Sequence, residues 1–264
     1  MKIAFIGGGV MGEAMLSAIL EKGLSTSQDI WVSDISETRR QNLEQGYGVT
    51  VASNNQLVAE KGEVVVLAIK PHNLIEVMAE ITLKPAQLVL SIITGARINT
   101  LCRGLNHSSV VRAMPNTPAQ IGEGVSVWTA TTEVTEQQKG WATSILSAMG
   151  KQVYINDEKY IDMATAVSGS GPAYFFLFVE SLAEAAVNIG LPYEIAQELV
   201  LPTLLGSGHL IQKSGKPPAE LRGMVTTPGG TTAEALSQFE KGGFTGLVKE
   251  AVNAAYEKAR SLGA

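Results

Sequence analysis

Short runs of consecutive apolar residues alternate with longer segments through the first half of the chain. The runs are rich in Val and Ile and only a few residues long, which is typical of strands buried in a sheet. Helical stretches lie between most of them, joined by short polar links, and this alternation predicts an α/β fold with a doubly wound parallel sheet. The predicted strands are residues 2–6, 30–34, 49–51, 64–69, 88–93, 110–111, 125–129 and 153–155, and the predicted helices are 13–22, 53–60, 72–81, 98–105 and 135–149.

The second half of the chain lacks this alternation, and its pattern is helical. We place the domain boundary where the strands stop, which gives an N-terminal domain over residues 1–155 and an all-α C-terminal domain over residues 156–264. Pro202 lies inside one predicted helix and must kink or split it. The predicted helices run from residue 156 or 157 to about 167, over 173–189, from 192 to about 213, and over 233–240 and 245–262.

The predicted helix over residues 173–189 is apolar around much of its circumference. Helices of this kind are usually buried, and a helical domain of this size offers few places to bury one. The pattern therefore favours a homodimer, or something larger, formed through the C-terminal domain. A single core helix inside a monomer is the alternative.

The first strand runs directly into glycines. Gly7-Gly8-Gly9-Val10-Met11-Gly12 has the spacing G-x-G-x-x-G between a strand and a helix, which is the arrangement that a dinucleotide pyrophosphate requires. Gly7 allows the turn, Gly9 lets the backbone approach the phosphates, and Gly12 lets the helix pack closely against the strand. This fingerprint predicts a Rossmann-type dinucleotide-binding domain over residues 1–155.

The end of the second strand leaves the choice between NAD and NADP open. Asp34 lies about twenty residues beyond the glycines, where an acidic side chain binds the ribose hydroxyls of NAD and repels a 2′-phosphate. Ser33, Ser36, Arg39 and Arg40 surround it in the sequence and could hold that phosphate instead. A solvated helix face is the other interpretation of the two arginines.

Three polar or turn-rich segments, residues 68–72, 91–95 and 114–118, follow predicted strands. Ligands of doubly wound sheets lie beyond the carboxyl ends of the strands, so these segments predict the nicotinamide half of the site. The predicted cofactor-binding residues are Gly7, Gly8, Gly9, Val10, Met11, Gly12, Ser33, Asp34, Ser36, Arg39, Asn55, Ala68, Lys70, Pro71, Met114, Pro115 and Asn116.

A threonine-rich turn, residues 225–232, is the second candidate site. Pro228 fixes one backbone dihedral, and Gly229 and Gly230 permit strained turns. The spacing from Thr231 to Glu234 predicts a capping box and hence a helix start, whose N–H groups would suit a carboxylate or phosphate. A tight connection between two helices is the alternative interpretation.

Composition narrows the function. A net charge of −5 gives no electrostatic case for nucleic acid or an anionic membrane as a partner. The single cysteine, Cys102, excludes an internal disulfide and fits a reducing cytoplasm. Glu180 and Glu184 interrupt the most apolar segment, which argues against a membrane span.

Covalent and metal chemistry have little support in the sequence. No spacing of His, Cys, Asp or Glu resembles a metal site, and no G-x-S-x-G motif is present. We expect His107 to be solvated in a polar loop, and His72, after a strand end, to be at most a neighbour of the cofactor.

Along its whole length the chain resembles the pyrroline-5-carboxylate reductase family. The run from Pro218 to Leu236 looks like the C-terminal signature of that family, and it is highly specific. Residues 166–174, 114–118 and 68–72 match further family motifs. Two positions depart from the pattern: Ile35 stands where many members carry Arg, which puts the usual NADPH preference in doubt, and Val10 stands where Asn is frequent.

The resemblance implies reduction of the cyclic imine of 1-pyrroline-5-carboxylate to proline, usually with NADPH, and NADH remains open. It also implies a dimer interlocked through the helical domain, often built into a larger ring. Thr232 is then the catalytic residue, because its hydroxyl can hydrogen-bond the ring nitrogen, and no strong general acid is expected. The predicted substrate-binding residues are Ser168, Gly169, Ser170, Gly171, Thr227, Gly229, Gly230, Thr231 and Thr232.

Two competing functions remain. A β-hydroxyacid dehydrogenase shares the order of domains but needs a lysine early in its helical domain, and here Pro172-Ala173-Tyr174 follows the glycine-rich segment without one. A regulator that senses NAD(P) without turnover would tolerate loss of the threonine-rich turn, which is intact.

Overall fold

The computed structural model describes residues 1–263, which form two compact units. The first unit comprises Met1–Ser170 and the end of the chain from Ala255 onward, and the second comprises Gly171–Ala254. The last strand ends at Tyr154, next to the predicted boundary after residue 155. The compact units divide further along the chain, because one more helix and the turn after it stay with the sheet.

The first unit is built on an eight-stranded sheet in the order β3-β2-β1-β4-β5-β6-β7-β8, and its first six strands have the Rossmann order. Neighbouring strands are parallel except β6 and β7, which are antiparallel and so differ from the predicted all-parallel sheet. The link from Met114 to Gly124 is too short for the crossover helix that a parallel pair requires. The strands are β1 (Ile3–Ile6), β2 (Ile30–Ser33), β3 (Thr50–Ala52), β4 (Val64–Leu67), β5 (Leu88–Ser91), β6 (Val110–Met114), β7 (Gly124–Ala130) and β8 (Gly150–Tyr154).

Helices cover both faces of this sheet, as the doubly wound prediction requires. They are α1 (Val10–Glu21), α2 (Glu37–Tyr47), α3 (Asn55–Ala59), α4 (Leu74–Glu80), α5 (Ile98–Leu105), α6 (Glu136–Ala148) and α7 (Lys159–Ala164). Short 3-10 helices occur at Ser27–Asp29, Pro71–Asn73 and Thr117–Ile121, and a π-helical turn spans Thr165–Gly169.

The alternation of side chains along β1 shows why the strands are continuously apolar. Ile3 and Phe5 belong to one buried cluster, with residues of α1 and α6, whereas Ala4 and Ile6 belong to a second cluster with residues of α3, α4 and α5. Each of these four strand residues is fully buried. A strand buried on both faces has no polar side to present, so it cannot show the alternation of a half-exposed strand.

The second unit is all-helical, as predicted. It contains α8 (Gly171–Asn188), α9 (Tyr193–Ser214), α10 (Pro218–Met224), α11 (Thr231–Lys241) and most of α12 (Phe244–Leu262). Pro202 lies within α9 without splitting it into two helices.

Few apolar side chains of the second unit are buried in this single chain. Phe175, Phe176 and Leu177 of α8 are 60%, 65% and 62% exposed. Leu199, Leu201 and further large apolar residues of α9 are also exposed. Exposed apolar surface of this kind is typical of faces that take part in protein–protein contacts.

Candidate active site

The glycine loop after β1 is built as the fingerprint predicts. Gly7 has a φ of +99°, and a Cβ there would lie 2.7 Å from the Ala68 carbonyl oxygen. A Cβ on Gly12 would lie 2.7 Å from the Gly7 carbonyl oxygen, so α1 approaches the loop as closely as it does only because Gly12 has no side chain.

Gly9 is the position open to a ligand. A Cβ added there would meet nothing within 4 Å among the described residues. Helix α1 begins at the next residue, Val10, without a side-chain cap, so the N–H groups of its first turn are available to an anion. An open face beside unpaired N–H groups fits the pyrophosphate of a dinucleotide.

Gly8 is held from both sides. Its N–H donates to Asp34 Oδ2 at 2.9 Å, and its carbonyl oxygen accepts from Arg39 Nε. A Cβ on Gly8 would lie 2.5 Å from Leu43 Cδ1, so α2 also packs directly on the loop. Residues from β2 and α2 thus fix the conformation of the loop.

The structure separates the predicted residues at the end of β2. The other oxygen of Asp34, Oδ1, accepts from the Ser36 N–H at 2.9 Å, and the Ser36 side chain caps α2 by accepting from the Arg39 N–H. Ser33 differs from the prediction, because it is fully buried and its hydroxyl donates to the Phe5 carbonyl. Its hydroxyl therefore belongs to the sheet interior, out of reach of a ligand.

The two arginines of α2 have fixed partners. Arg39 forms an ion pair with Glu13 of α1, and Glu13 also accepts from the Tyr47 hydroxyl at 3.0 Å. Burial, and then the hydrogen bond to Glu13, raises the pKa of Tyr47, which keeps this hydroxyl a donor. Arg40 Nη1 donates to the carbonyl oxygens of Asp34 and Ile35 at 2.6 and 3.2 Å. Glu13 was not among the predicted site residues, although an acid in the first turn of α1 was a visible signal in the sequence.

The loop after β4 lies beside the glycine loop. Ala68 closes on Gly7, and a Cβ on Gly12 would lie 3.3 Å from Ala68 Cβ. Lys70 and Pro71 are exposed and lead into a 3-10 helix. Asn55 begins α3, and its amide donates to the Glu80 carboxylate. Asn55 is thus engaged by a protein carboxylate, and its predicted role toward the cofactor remains a prediction.

The end of β6 is joined to the segment of the predicted substrate residues. Asn116 Nδ2 donates to the Ser168 carbonyl oxygen at 3.0 Å, and Asn116 Oδ1 accepts from the Val125 N–H at 2.8 Å. Met114 packs at Gly169, where a Cβ would lie 3.0 Å from Met114 Cε. Two predicted cofactor residues and two predicted substrate residues therefore meet here.

An ion-pair cluster forms around a buried arginine of β6, the strand that ends at Met114. Arg112 of β6 is 2% exposed and donates to Asp162 Oδ1 at 2.7 Å and to Glu158 Oε1 at 2.8 Å. Glu158 Oε1 also accepts from the Ile98 N–H at the start of α5. An arginine within an apolar strand was the sequence signal for this cluster, but its partners lie far along the chain.

The glycine-rich segment from Ser168 to Pro172 is helical rather than an irregular break. The π-helical turn over Thr165–Gly169 is closed by the Ser170 N–H, which donates to the Thr165 carbonyl at 2.8 Å, and α8 follows at Gly171. Single π-helical turns inside helices are frequent at functional sites. The helix predicted from residue 173 therefore begins two residues earlier, at Gly171.

The threonine-rich turn lies in the second unit, between α10 and α11. Gly229 has a φ of +71°, and the Gly230 N–H donates to the Thr227 carbonyl at 3.0 Å. A Cβ on Gly230 would lie 2.5 Å from Thr227 Oγ1, so a larger residue there would displace the Thr227 side chain.

The capping box predicted from Thr231 is wrong. The N-cap is Gly230, Thr231 is the first helical residue, and α11 has no side-chain cap hydrogen bond. The Gly230 N–H closes a turn that begins at Thr227. With Gly230 as the N-cap, the helix starts one residue earlier than the capping-box spacing predicts. The N–H groups of the first turn of α11 are therefore left without a side-chain cap, as an anion site requires.

The structure places the two predicted histidines in different environments. His72 is exposed at the strand end, whereas His107 is 8% exposed, and its Nε2 lies 2.8 Å from the Gln87 carbonyl oxygen. His107 is therefore buried within the first unit, whereas the sequence predicted a solvated side chain. In the part of the chain that the structure describes, no group of three or more His, Cys, Asp or Glu side chains could hold a metal ion. No helix within residues 1–263 has the length and apolarity that crossing a membrane requires.

Comparisons with known proteins identify the family. Residues 158–262 match the family model described as pyrroline-5-carboxylate reductase dimerisation, and residues 2–95 match NADP oxidoreductase coenzyme F420-dependent. The pyrroline-5-carboxylate reductase of Synechocystis is 39% identical over 264 residues, covering 100% of this chain and 98% of that protein. That of Pseudomonas aeruginosa is 38% identical, with coverages of 99% and 96%.

A solved structure agrees with these relatives. The pyrroline carboxylate reductase of Plasmodium falciparum, determined with NADP bound, superposes with a TM-score of 0.90 at 33% identity, covering 100% of this chain and 98% of that one. With relatives of this similarity along its entire length, the chain belongs to the pyrroline-5-carboxylate reductase family.

Proposed function

We propose that the chain reduces the cyclic imine of 1-pyrroline-5-carboxylate to L-proline, the last step of proline biosynthesis. NADPH is the hydride donor, and NADH is the alternative donor. The observation that carries the proposal is the open glycine loop at Gly9, in a chain 39% identical along its length to a pyrroline-5-carboxylate reductase. It excludes neither cofactor, because Asp34 and Arg39 both lie beside this loop.

The first unit positions the cofactor. The N–H groups of Gly9, Val10 and Met11, at the positive end of α1, would hold the pyrophosphate, with Gly7, Gly8 and Gly12 shaping the loop. Ser36, Ala68, Lys70 and Pro71 would extend the site from the neighbouring strand ends. Met114, Pro115 and Asn116 would border the nicotinamide. When bound, the nicotinamide supplies a hydride to the imine carbon.

The second unit positions the substrate. The N–H groups of the first turn of α11, which have no side-chain cap, suit the carboxylate of pyrroline-5-carboxylate, and Gly229 and Gly230 shape the turn before them. The Thr232 hydroxyl would hydrogen-bond the ring nitrogen as the imine becomes an amine. The ring nitrogen carries its own proton, so the hydride neutralises the iminium and no further acid is needed. Ser168, Gly169, Ser170, Gly171, Thr227 and Thr231 would complete the substrate site.

A homodimer follows from the helical unit. Its α8 exposes Phe175, Phe176 and Leu177, within the segment that matches the dimerisation model. A second copy would cover this face, and dimers could associate further into a ring. We also propose the cytoplasm as the compartment, on the basis of the single cysteine.

Initial rates of NADPH and NADH oxidation, measured in parallel with pyrroline-5-carboxylate, test the proposed function. We expect turnover with at least one cofactor, and no oxidation when the substrate is left out. Binding of both cofactors without turnover of either would contradict the reductase and favour the NAD(P)-sensing regulator.

A further inference from the structure

Glu13, in the first turn of the helix that follows the glycine loop, is a charged residue that the mechanism does not use. Both of its carboxylate oxygens are engaged: Oε1 accepts from the Tyr47 hydroxyl at 3.0 Å, and Oε2 pairs with Arg39 Nη2. The side chains of Arg39 and Glu13 are 25% and 32% exposed, so the pair is partly shielded from water. Its electrostatic coupling is accordingly stronger than that of a fully exposed pair.

The position of this pair relates it to the adenosine end of the cofactor. In the dinucleotide fingerprint the acid at the end of the second strand marks the ribose 2′ position. That acid, Asp34, binds the Gly8 N–H, and Arg39 binds the carbonyl oxygen of the same glycine. The Arg39 guanidinium therefore lies on the same loop residue as the acid that marks the 2′ position.

The charges around this position are balanced. Arg39 and Arg40 supply two positive charges, and Asp34 and Glu13 supply two negative ones. Arg40 is bound to backbone carbonyl oxygens, which leave its charge uncompensated, whereas Arg39 already has a carboxylate partner. Glu13 Oε2 accepts from Arg39 Nη2 and offsets the Arg39 charge, so a 2′-phosphate at Arg39 would compete with this carboxylate, whereas the uncharged 2′-hydroxyl of NADH would not.

We propose that Glu13 is a specificity-determining residue, an internal competitor that occupies Arg39 and weakens the binding of NADPH relative to NADH. The inference rests on the proposed function, since it concerns the cofactor of that reaction. Glu13 would thus act on the cofactor ratio from α1, whereas the sequence pattern pointed to the end of β2.

Equilibrium dissociation constants of NADPH and NADH, measured by nucleotide fluorescence titration of the dimeric enzyme, test this inference without turnover. Glu13→Gln removes the competing charge and keeps a side chain that can accept from Tyr47. We expect Kd for NADPH to fall about three- to tenfold and Kd for NADH to change less than about twofold. Glu21→Gln is the matched control, because it removes the same charge from the exposed end of the same helix. It should leave the ratio of the two constants unchanged.

A second variant keeps the test decisive if Glu13→Gln does not fold. Arg39→Gln should raise Kd for NADPH by about tenfold or more while changing Kd for NADH much less, because a charge-assisted hydrogen bond to phosphate is lost. In the Glu13→Gln, Arg39→Gln double variant, the gain from Glu13→Gln should disappear.

The outcomes separate the inference from the proposed function. Equal changes for both cofactors in Glu13→Gln, or an unchanged ratio in Arg39→Gln, would overturn the role of Glu13 and leave the reductase intact. Failure of the unmodified enzyme to bind either cofactor would overturn the proposed function, and the inference with it.

Discussion

Asn116 donates a hydrogen bond from its side-chain amide to the carbonyl oxygen of Ser168, at 3.0 Å. The same amide accepts from the Val125 N–H at 2.8 Å, so it joins the end of β6, the start of β7 and the π-helical turn. The link connects the predicted border of the nicotinamide to the first of the predicted substrate residues. One side chain thus satisfies both a backbone carbonyl and a backbone N–H.

Asn116→Leu should destabilise the enzyme. The substitution keeps the approximate volume and leaves the Ser168 carbonyl and the Val125 N–H without their partner, at a cost of about 1–3 kcal/mol for each buried group left unpaired. Chemical denaturation, with cofactor absent, measures the loss. Gln120→Leu is the control, because its amide is exposed and donates only within its own turn. Equal stability losses in the two variants would remove Asn116 from the account of the junction.

The Arg112 cluster predicts a strongly non-additive pair of variants. Arg112→Met leaves Asp162, which is 9% exposed, as a buried carboxylate without its cation, and we expect a loss of about 3–5 kcal/mol. Adding Asp162→Leu should recover part of that loss, because the uncompensated charge is removed as well. A double variant as unstable as the sum of the two single variants would show that the ion pair has no energetic coupling.

The glycines of the loop should separate stability from binding. Gly9→Ala places a methyl group where no described residue lies within 4 Å, so folding should be unaffected while the Kd for NADPH rises by about tenfold or more. In Gly7→Ala, by contrast, the new Cβ would lie 2.7 Å from the Ala68 carbonyl oxygen, and the φ of +99° disfavours any residue with a side chain. This substitution should destabilise the fold itself.

Gly140→Ala is the control for this comparison. Gly140 lies inside α6, and no described residue comes within 4 Å of an added Cβ, so the substitution should stabilise the enzyme by up to about 1 kcal/mol and leave Kd unchanged. Undiminished NADPH binding by Gly9→Ala would show that the pyrophosphate does not lie on this loop.

Thr232 should affect turnover rather than folding. Thr232→Ala removes the proposed hydrogen bond to the ring nitrogen, and kcat should fall by about ten- to a hundredfold. Thr232→Ser keeps the hydroxyl and should retain most of the activity. Rates of NADPH oxidation at saturating pyrroline-5-carboxylate check both variants. If the alanine and serine variants are equally active, the hydroxyl takes no part in the mechanism.

The sequence predicted the parts of the fold that local patterns determine. Each predicted strand corresponds to an observed one, and the helix over residues 98–105 has the predicted bounds. The glycine loop was also predictable, because its G-x-G-x-x-G spacing is continuous in the chain between a strand and a helix. These features depend on residues that are neighbours in the chain.

The features that were missed depend on residues far apart in the chain. The Arg39–Glu13 pair joins α1 to α2, and the buried His107 has its Nε2 within hydrogen-bonding distance of the Gln87 carbonyl oxygen. The N-cap at Gly230 shows a different limit: the capping-box spacing was present, but the preceding turn at Thr227 had already set the helix start. Spacing alone does not decide between two compatible starts.

Transfer of deuterium tests the central claim most directly. The enzyme is given pyrroline-5-carboxylate and NADPH that is doubly deuterated at the hydride-donating carbon of the nicotinamide, and the product is analysed by mass spectrometry and NMR. We predict L-proline with one deuterium on the ring carbon that had been the imine carbon, in amounts equal to the NADPH oxidised. Oxidation of NADPH without labelled proline, or proline without deuterium at that carbon, would contradict the account.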